Sequence, residues 1–255
     1  MIELHRDGNT ATLRIQRADK MNAITTAMWR ALHEACNALV APAETARVLR
    51  VEGQPGAFCA GADIAEMSAL LADAAALADN NAVVAAAQMA LERLPLPTLA
   101  VIDGPCFGGG FGIAAACDFR LASTRSSFAV TPSTLGLLYS VEDTRRLVRL
   151  VGDARARRLL LRGERLDAAT ALAWGAVDAV VEPHALPALA QSWCDALAAQ
   201  SRTSMAGIKA TLALLAGDAA TREADVRAAF TAAFSGPDFA EGAAAFGARR
   251  PARFE

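Results

Sequence analysis

Ile102-Asp103-Gly104-Pro105-Cys106-Phe107-Gly108-Gly109-Gly110-Phe111-Gly112 decides how this chain is read, because it passes from a strand to a helix through a run of three glycines. Before it, Thr98 to Ile102 is an apolar run of strand length, and Pro95 and Pro97 end a helix predicted over Ala75 to Leu94. After it, apolar residues running to Cys117 predict a buried helix. The same order occurs earlier in the chain. Val48 to Val51 predicts a short buried strand and Ala57-Phe58-Cys59-Ala60-Gly61 a tight turn, and a helix follows with Asp63 as N-cap and Glu66 at capping-box spacing. Strands that alternate with helices predict an α/β core.

Working outward, residues 2 to 6 and 10 to 15 alternate around Asp7-Gly8-Asn9, which predicts an opening β-hairpin. Thr25 and Thr26 stand where an N-cap belongs, before a helix with Met28, Leu32, Cys36, Leu39 and Val40 on its apolar face. Phe119 to Ala122 and Ser127 to Val130 predict two more strands. Beyond them the chain turns helical, over 141–151, 153–162, 167–174, 184–200, 203–216 and 221–234, with a strand near Val177 to Val181 and a last helix within Asp238 to Arg250. No repeat or low-complexity linker divides the sequence, so residues 1–200 are expected to form one core and 201–255 a helical C-terminal region. Helices this small and alanine-rich offer little apolar face each, which predicts packing on neighbouring subunits.

The chain has 255 residues, 54% hydrophobic and 20% charged, with a net charge of −2. That is enough to bury a large core, and it lacks the charge excess of a disordered or polyanion-binding protein. Arginine far outnumbers lysine, yet 27 acidic residues offset 25 basic ones, so nucleic acid is not an expected partner. Met1 to Gly8 holds four ionisable side chains and leads into no apolar segment, and apolar runs such as Ala82 to Leu91 stop far short of a bilayer span. Neither export nor membrane insertion is expected. Five cysteines, odd in number and without C-x-x-C spacing, predict no disulfide framework and no metal site, and a reducing cytoplasm fits them.

Two segments carry a resemblance. Phe58-Cys59-Ala60-Gly61-Ala62-Asp63-Ile64-Ala65-Glu66-Met67, and Ile102 to Gly112 followed by Ala116-Cys117-Asp118, are similar in order and spacing to the crotonase superfamily, the enoyl-CoA hydratase/isomerase family. Asn22-Ala23-Ile24, Leu135-Gly136, Arg146-Leu147, Gly163, Ala171, Gly175-Ala176-Val177, Glu241-Gly242 and Phe246 also fall in family order. The resemblance implies a crotonase α/β spiral of ββα units with a helical C-terminal region, assembled through residues 201–255 as a trimer or dimer of trimers. It implies an acyl-CoA substrate and no cofactor beyond the CoA moiety itself. The backbone N–H groups of Ala62 and Gly109 are then the oxyanion donors, and Ala23, Ala60, Ala62, Asp63 and Ile64 lie along the CoA. Arg17 and Lys20 either meet phosphates or remain solvated.

A thioester that forms an enolate builds negative charge on its carbonyl oxygen, which two fixed N–H donors near helix N-termini stabilise. The family's hydratases add two glutamates for acid and base work. Their positions fall here on Gly112 and Pro132, which carry no proton. Phe128 to Tyr139 is more similar to the family's methylmalonyl-CoA decarboxylase branch, where a tyrosine faces the substrate, although that branch's histidine is replaced by Ala62. Carbon dioxide loss needs an oxyanion site, a contact that orients the carboxylate and a proton source, and Tyr139 is placed for the second or third. Glu142 and Asp143 are relocated acids that would serve double-bond isomerisation. Ser140-Val141-Glu142-Asp143 fits a capping box, which assigns Asp143 a structural role and leaves Glu142 as the catalytic candidate. Glu66 is read as a cap partner, Asp118 as a loop anchor, and His5, His33 and His184 as structural or solvated; Ser133 and Ser140 have no histidine near in sequence. The expected activity is therefore a decarboxylase or isomerase of CoA thioesters. The alternatives are a true hydratase with relocated acid and base groups, or an acyl-CoA-binding protein without catalysis.

Overall fold

Thr98–Ile102, strand β4, is buried at every residue, as expected of a parallel strand covered on both faces. The computed structural model describes residues 1–254. β1 (Ile2–Asp7) and β2 (Thr10–Ile15) form the antiparallel hairpin. From β2 the sheet continues in parallel through β3 (Val48–Gly53), β4, β6 (Phe119–Ser123) and β9 (Ala179–Val181). A second sheet pairs β5 (Pro105–Phe107), β7 (Ser127–Ala129) and β8 (Arg165–Asp167). The α/β spiral expected from the sequence is present; the three-residue strands β5 and β8 are additions too short for alternation to betray.

The helices are α1 (Thr26–Ala38), α2 (Ile64–Leu70), α3 (Ala74–Glu92), α4 (Gly109–Ala116), α5 (Val141–Val151), α6 (Asp153–Arg162), α7 (Ala168–Trp174) and α8 (Leu186–Ala198), then α9 (Arg202–Leu215), α10 (Glu223–Ala233) and α11 (Pro237–Gly247). Alternate β4 residues face opposite ways: Ala100 and Ile102 join the main core with α1, α3 and α4, while Leu99 and Val101 pack against Leu186, Ala190 and Cys194 of α8. Thr25 caps α1 and Asp63 caps α2 as expected, their side chains accepting from Met28 N at 3.3 Å and Glu66 N at 3.0 Å. Two expectations are corrected. Val40 lies beyond the end of α1 and is exposed. The Glu66 carboxylate does not close a capping box on its own helix but accepts from Thr26 N at 2.9 Å, in the first turn of α1, where an unpaired amide would otherwise remain. Asp118 anchors as read, accepting from Thr98 N at 2.8 Å and pairing with Lys209 of α9.

The two glycine-bearing turns are stitched together by backbone. Cys59 and Cys106 form a parallel bridge in which Cys59 N donates to Pro105 O at 3.1 Å and Phe107 N to Cys59 O at 2.9 Å. Gly110 lies against the same residue so closely that a β-carbon there would come within 2.3 Å of Cys59 O. Among the described residues no helix is long and apolar enough to cross a membrane.

Two outcomes follow from this packing. Gly110→Ala is expected to cost about 1–3 kcal/mol, because backbone must yield; Gly207→Ala, with nothing within 4 Å of its added carbon, should leave the denaturant midpoint unchanged or raise it. All five cysteines are buried, and burial pushes the thiols of Cys36, Cys59 and Cys117 up to about 12. The folded chain at pH 8 should therefore resist a thiol reagent that titrates every cysteine once denaturant is added.

Candidate active site

The first turn is shaped by Gly61, whose φ of +100° suits glycine, and whose β-carbon, if present, would press within 3.0 Å of Phe107 O. Ile24 bridges to Ala62 in parallel fashion: Ile24 N donates to Gly61 O at 2.8 Å and Asp63 N to Ile24 O at 3.0 Å. The neighbours of Ala62 thus satisfy Ile24, and the N–H of Ala62 itself is turned away from it. The second turn is shaped by Gly108, at φ +49°, which precedes α4 without offering a side-chain cap. Among the described residues neither Ala62 N–H nor Gly109 N–H donates a hydrogen bond. They are neighbours: a β-carbon on Gly109 would lie 3.9 Å from Ala62 N and 3.2 Å from the Trp29 ring. Two partnerless amides side by side, one opening a helix, are suited to an anionic oxygen.

Of the residues expected along the CoA, Ala60, Ala62, Asp63 and Ile64 lie on this first turn, and Ala23 lies on the segment bridged to it at Ile24. Ala60 N donates to Met21 O at 3.0 Å, which holds Ala60 near Ala23, and Ile64 is exposed beside them. Asp63 carries the α2 cap and pairs with Arg17, contacts that hold its carboxyl below the usual carboxylate range, the backbone hydrogen bond from Glu66 first. Arg17 also donates to Ala23 O at 3.2 Å, so it braces this turn. Lys20 is exposed.

One turn along α4 from Gly109 is Gly112. A β-carbon there would meet Gln88 Nε2 at 2.3 Å and Asp143 Oδ1 at 2.9 Å, so the space a side chain would enter is taken by an amide and a carboxylate from α3 and α5. Pro132, at the other altered position, opens a short 3₁₀ turn, Pro132–Leu135. Tyr139 follows it; its hydroxyl donates to Gly108 O at 3.4 Å, bringing it to the second turn. Burial, with the Asp143 carboxylate close by, keeps that phenol protonated well above its ordinary pKa.

Ser140 caps α5 as expected, accepting from Asp143 N at 3.0 Å, and its hydroxyl also donates to Asp143 Oδ2 at 2.9 Å. Arg146 donates to Asp143 Oδ1 at 3.0 Å and to Gln88 Oε1 at 3.3 Å, and pairs through its other nitrogens with Glu92 at 2.7 to 2.9 Å. Burial nevertheless pushes the Asp143 carboxyl above the usual carboxylate range, against the lowering effect of Arg146 and the Ser140 hydroxyl. Gln88 Nε2 lies near that carboxylate but makes no hydrogen bond of ordinary length and angle, an unmet donor in a side chain only 1% exposed. Asp143 is thus the acid that reaches Gly112. Glu142 instead lines a separate cleft of about 450 Å³ between α3, α5 and α9, among Arg145, Arg149 and Lys209. Gln88 and Trp29 were not singled out from sequence; the signal for Gln88 is an uncharged polar residue that falls among the alanines and valines of α3. His5 bonds to Glu3, and no metal-binding group of three His, Cys, Asp or Glu occurs among the described residues.

Residues 5–255 match the family model described as Enoyl-CoA hydratase/isomerase. A probable enoyl-CoA hydratase from Rhizobium meliloti is 32% identical, with 97% of this chain and 95% of that relative aligned. Another from Mycobacterium bovis is 31% identical over 100% of this chain and 99% of its own length. The crystal structure of an enoyl-CoA hydratase/carnithine racemase from Magnetospirillum magneticum superposes with a TM-score of 0.93 at 33% identity, covering 100% of this chain and 95% of that one. Fold, turn geometry and similarity along the full chain agree: the protein belongs to the enoyl-CoA hydratase/isomerase family of the crotonase superfamily.

Proposed function

We propose that the chain binds an acyl-CoA thioester along Ala23, Ala60, Ala62, Asp63 and Ile64, and develops an enolate whose oxygen is held by the N–H groups of Ala62 and Gly109. The enolate is then resolved by isomerisation or decarboxylation, without the two-carboxylate activation of water. The observation that carries this reading is the pair of neighbouring amides without acceptors, taken together with Gly112 and Pro132, whose side chains cannot transfer a proton. Each such donor supplies about 3 kcal/mol to a developing oxyanion, so the enolate half of the chemistry remains when the hydratase acids are gone. The relatives bear hydratase names, and the difference argued here lies in those two positions. Tyr139, kept neutral near Gly108, is available to donate a proton or to orient an acyl group. No cofactor is required beyond the CoA moiety, and the buried free thiols suit a reducing compartment such as the cytoplasm.

The C-terminal region supports assembly as a trimer or dimer of trimers. The chain exposes 13047 Å², whereas a compact monomer of its mass exposes about 10,700 Å². Phe230, Phe234 and Phe239 stack edge to face at 5.2 and 5.8 Å while remaining exposed, an apolar face on α10 and α11 that a second copy would cover.

With 3-enoyl-CoA and methylmalonyl-CoA supplied separately, one is expected to be isomerised or to release carbon dioxide, while crotonyl-CoA is hydrated far more slowly than that substrate is turned over. Rapid hydration of crotonyl-CoA would overturn the reading; tight acyl-CoA binding with no turnover would leave a binding protein instead. Ala62→Pro deletes one N–H that bonds nothing in the protein and puts a ring carbon in its place, and is expected to cut turnover at least about 10²-fold, with circular dichroism reporting that the fold is kept. Light scattering should give a trimer or hexamer, and Phe234→Asp should dissociate it.

A further inference from the structure

The space beside Gly112 is furnished as a proton-transfer site, although neither residue that fills it lies in the glycine-bearing turns. Asp143 Oδ1 stands 2.9 Å from where a β-carbon on Gly112 would be, and Gln88 Nε2 stands 2.3 Å from the same point. The Gln88 amide is buried beside the Asp143 carboxylate, and its Nε2 makes no hydrogen bond of ordinary length and angle. Resting on the enolate reading above, we propose that Asp143 is the acid/base residue of this site, so that the reaction is proton transfer at the acyl α-carbon and the activity an isomerisation. In that step the Asp143 carboxylate takes the α-hydrogen as a proton. The C–H electron pair passes into the thioester, forming the enolate held by Ala62 and Gly109, and Asp143 returns the proton to the γ-carbon of a 3-enoyl chain. Atoms and charge balance without a co-reactant.

The surroundings suit a group that must accept and release a proton during turnover. Burial raises the Asp143 carboxyl, and the one cation facing it, Arg146, is divided with Glu92. The other groups against it are the Ser140 hydroxyl from the start of α5, the Gln88 amide from α3 and the neutral Tyr139 phenol; Gly112 presents no charge from α4. Tyr139, held protonated, cannot be the base. The abstracting form of Asp143 is its anion, so the rate should climb with pH through its raised pKa and then level off.

The test follows α-hydrogen exchange of butanoyl-CoA in D₂O by mass spectrometry, beside calorimetric binding of the same thioester. The wild type is expected to incorporate deuterium. Asp143→Asn, which keeps an oxygen for Arg146, is expected to slow exchange at least about 100-fold with binding within about threefold. Asp143→Glu should retain part of the exchange with its pH limb displaced, and it serves if the asparagine variant does not fold. Wild-type exchange that persists in Asp143→Asn, or a pH limb unmoved in Asp143→Glu, would overturn the assignment and leave the enolate reading intact. Binding without any wild-type exchange would overturn both.

Discussion

The close approach of two backbones at Cys59 and Gly110 is what the rest of the molecule depends on. A side chain at position 110 would collide with the carbonyl of residue 59, so only glycine lets α4 settle onto the first turn. The Cys59–Cys106 bridge fixes the register of that contact, and with it the 3.9 Å between Ala62 N and the direction in which Gly109 would carry a side chain. A catalytic geometry made from main-chain amides cannot be tuned by rotamers. It has to be set by packing, and here the packing beside the amides is so close that a β-carbon at Gly110 would meet backbone.

A second constraint is electrostatic. Arg146, 3% exposed, is bracketed by Asp143 and Glu92, and its fork also holds Gln88. Both carboxylates hold the buried Arg146, Glu92 has Arg149 as a second partner, and the more deeply buried Asp143 bears the larger desolvation cost. Asp143 is 7% exposed, and that burial is what moves its carboxyl up. Losing the side chain at 112 therefore does not leave a void; α3 and α5 converge there with polar groups.

What could be read from sequence follows from how local each determinant is. Thr25, Asp63 and Ser140 cap helices that begin immediately after them, and spacing alone revealed all three. The same reasoning misplaced Glu66, whose partner Thr26 lies 40 residues away on another helix, because a capping-box pattern cannot distinguish a carboxylate that reaches back from one that reaches across. The glycines of the two turns stood out because no other residue suits their φ values or contacts. Gln88 did not, since nothing in α3 alone announces that its amide meets Gly112. The choice between Glu142 and Asp143 was a matter of helix azimuth: adjacent residues on α5 point about 100° apart, and only tertiary contacts tell which of them faces Gly112 and which lines the cleft beside α9.

At the proposed oxyanion site, Tyr139 would act through the Gly108 carbonyl without touching a substrate. The carbonyl of Gly108 and the N–H of Gly109 belong to one peptide unit, so a donor to that carbonyl polarises the N–H at the other end. Two donors reach it: Gly112 N at 3.0 Å and Tyr139 Oη at 3.4 Å. By length the helical amide carries most of the effect and the phenol adds a weaker share. The amide's contribution is fixed by the helix, whereas the phenol can turn toward a bound acyl group and weaken its hold on Gly108. A hydroxyl used as a proton donor during turnover would thereby lower the acidity of the Gly109 N–H as charge develops. Economy thus favours leaving Tyr139 on the carbonyl and giving the proton to another group, and Asp143, anchored by Ser140 and Arg146, can take that part without disturbing the turn.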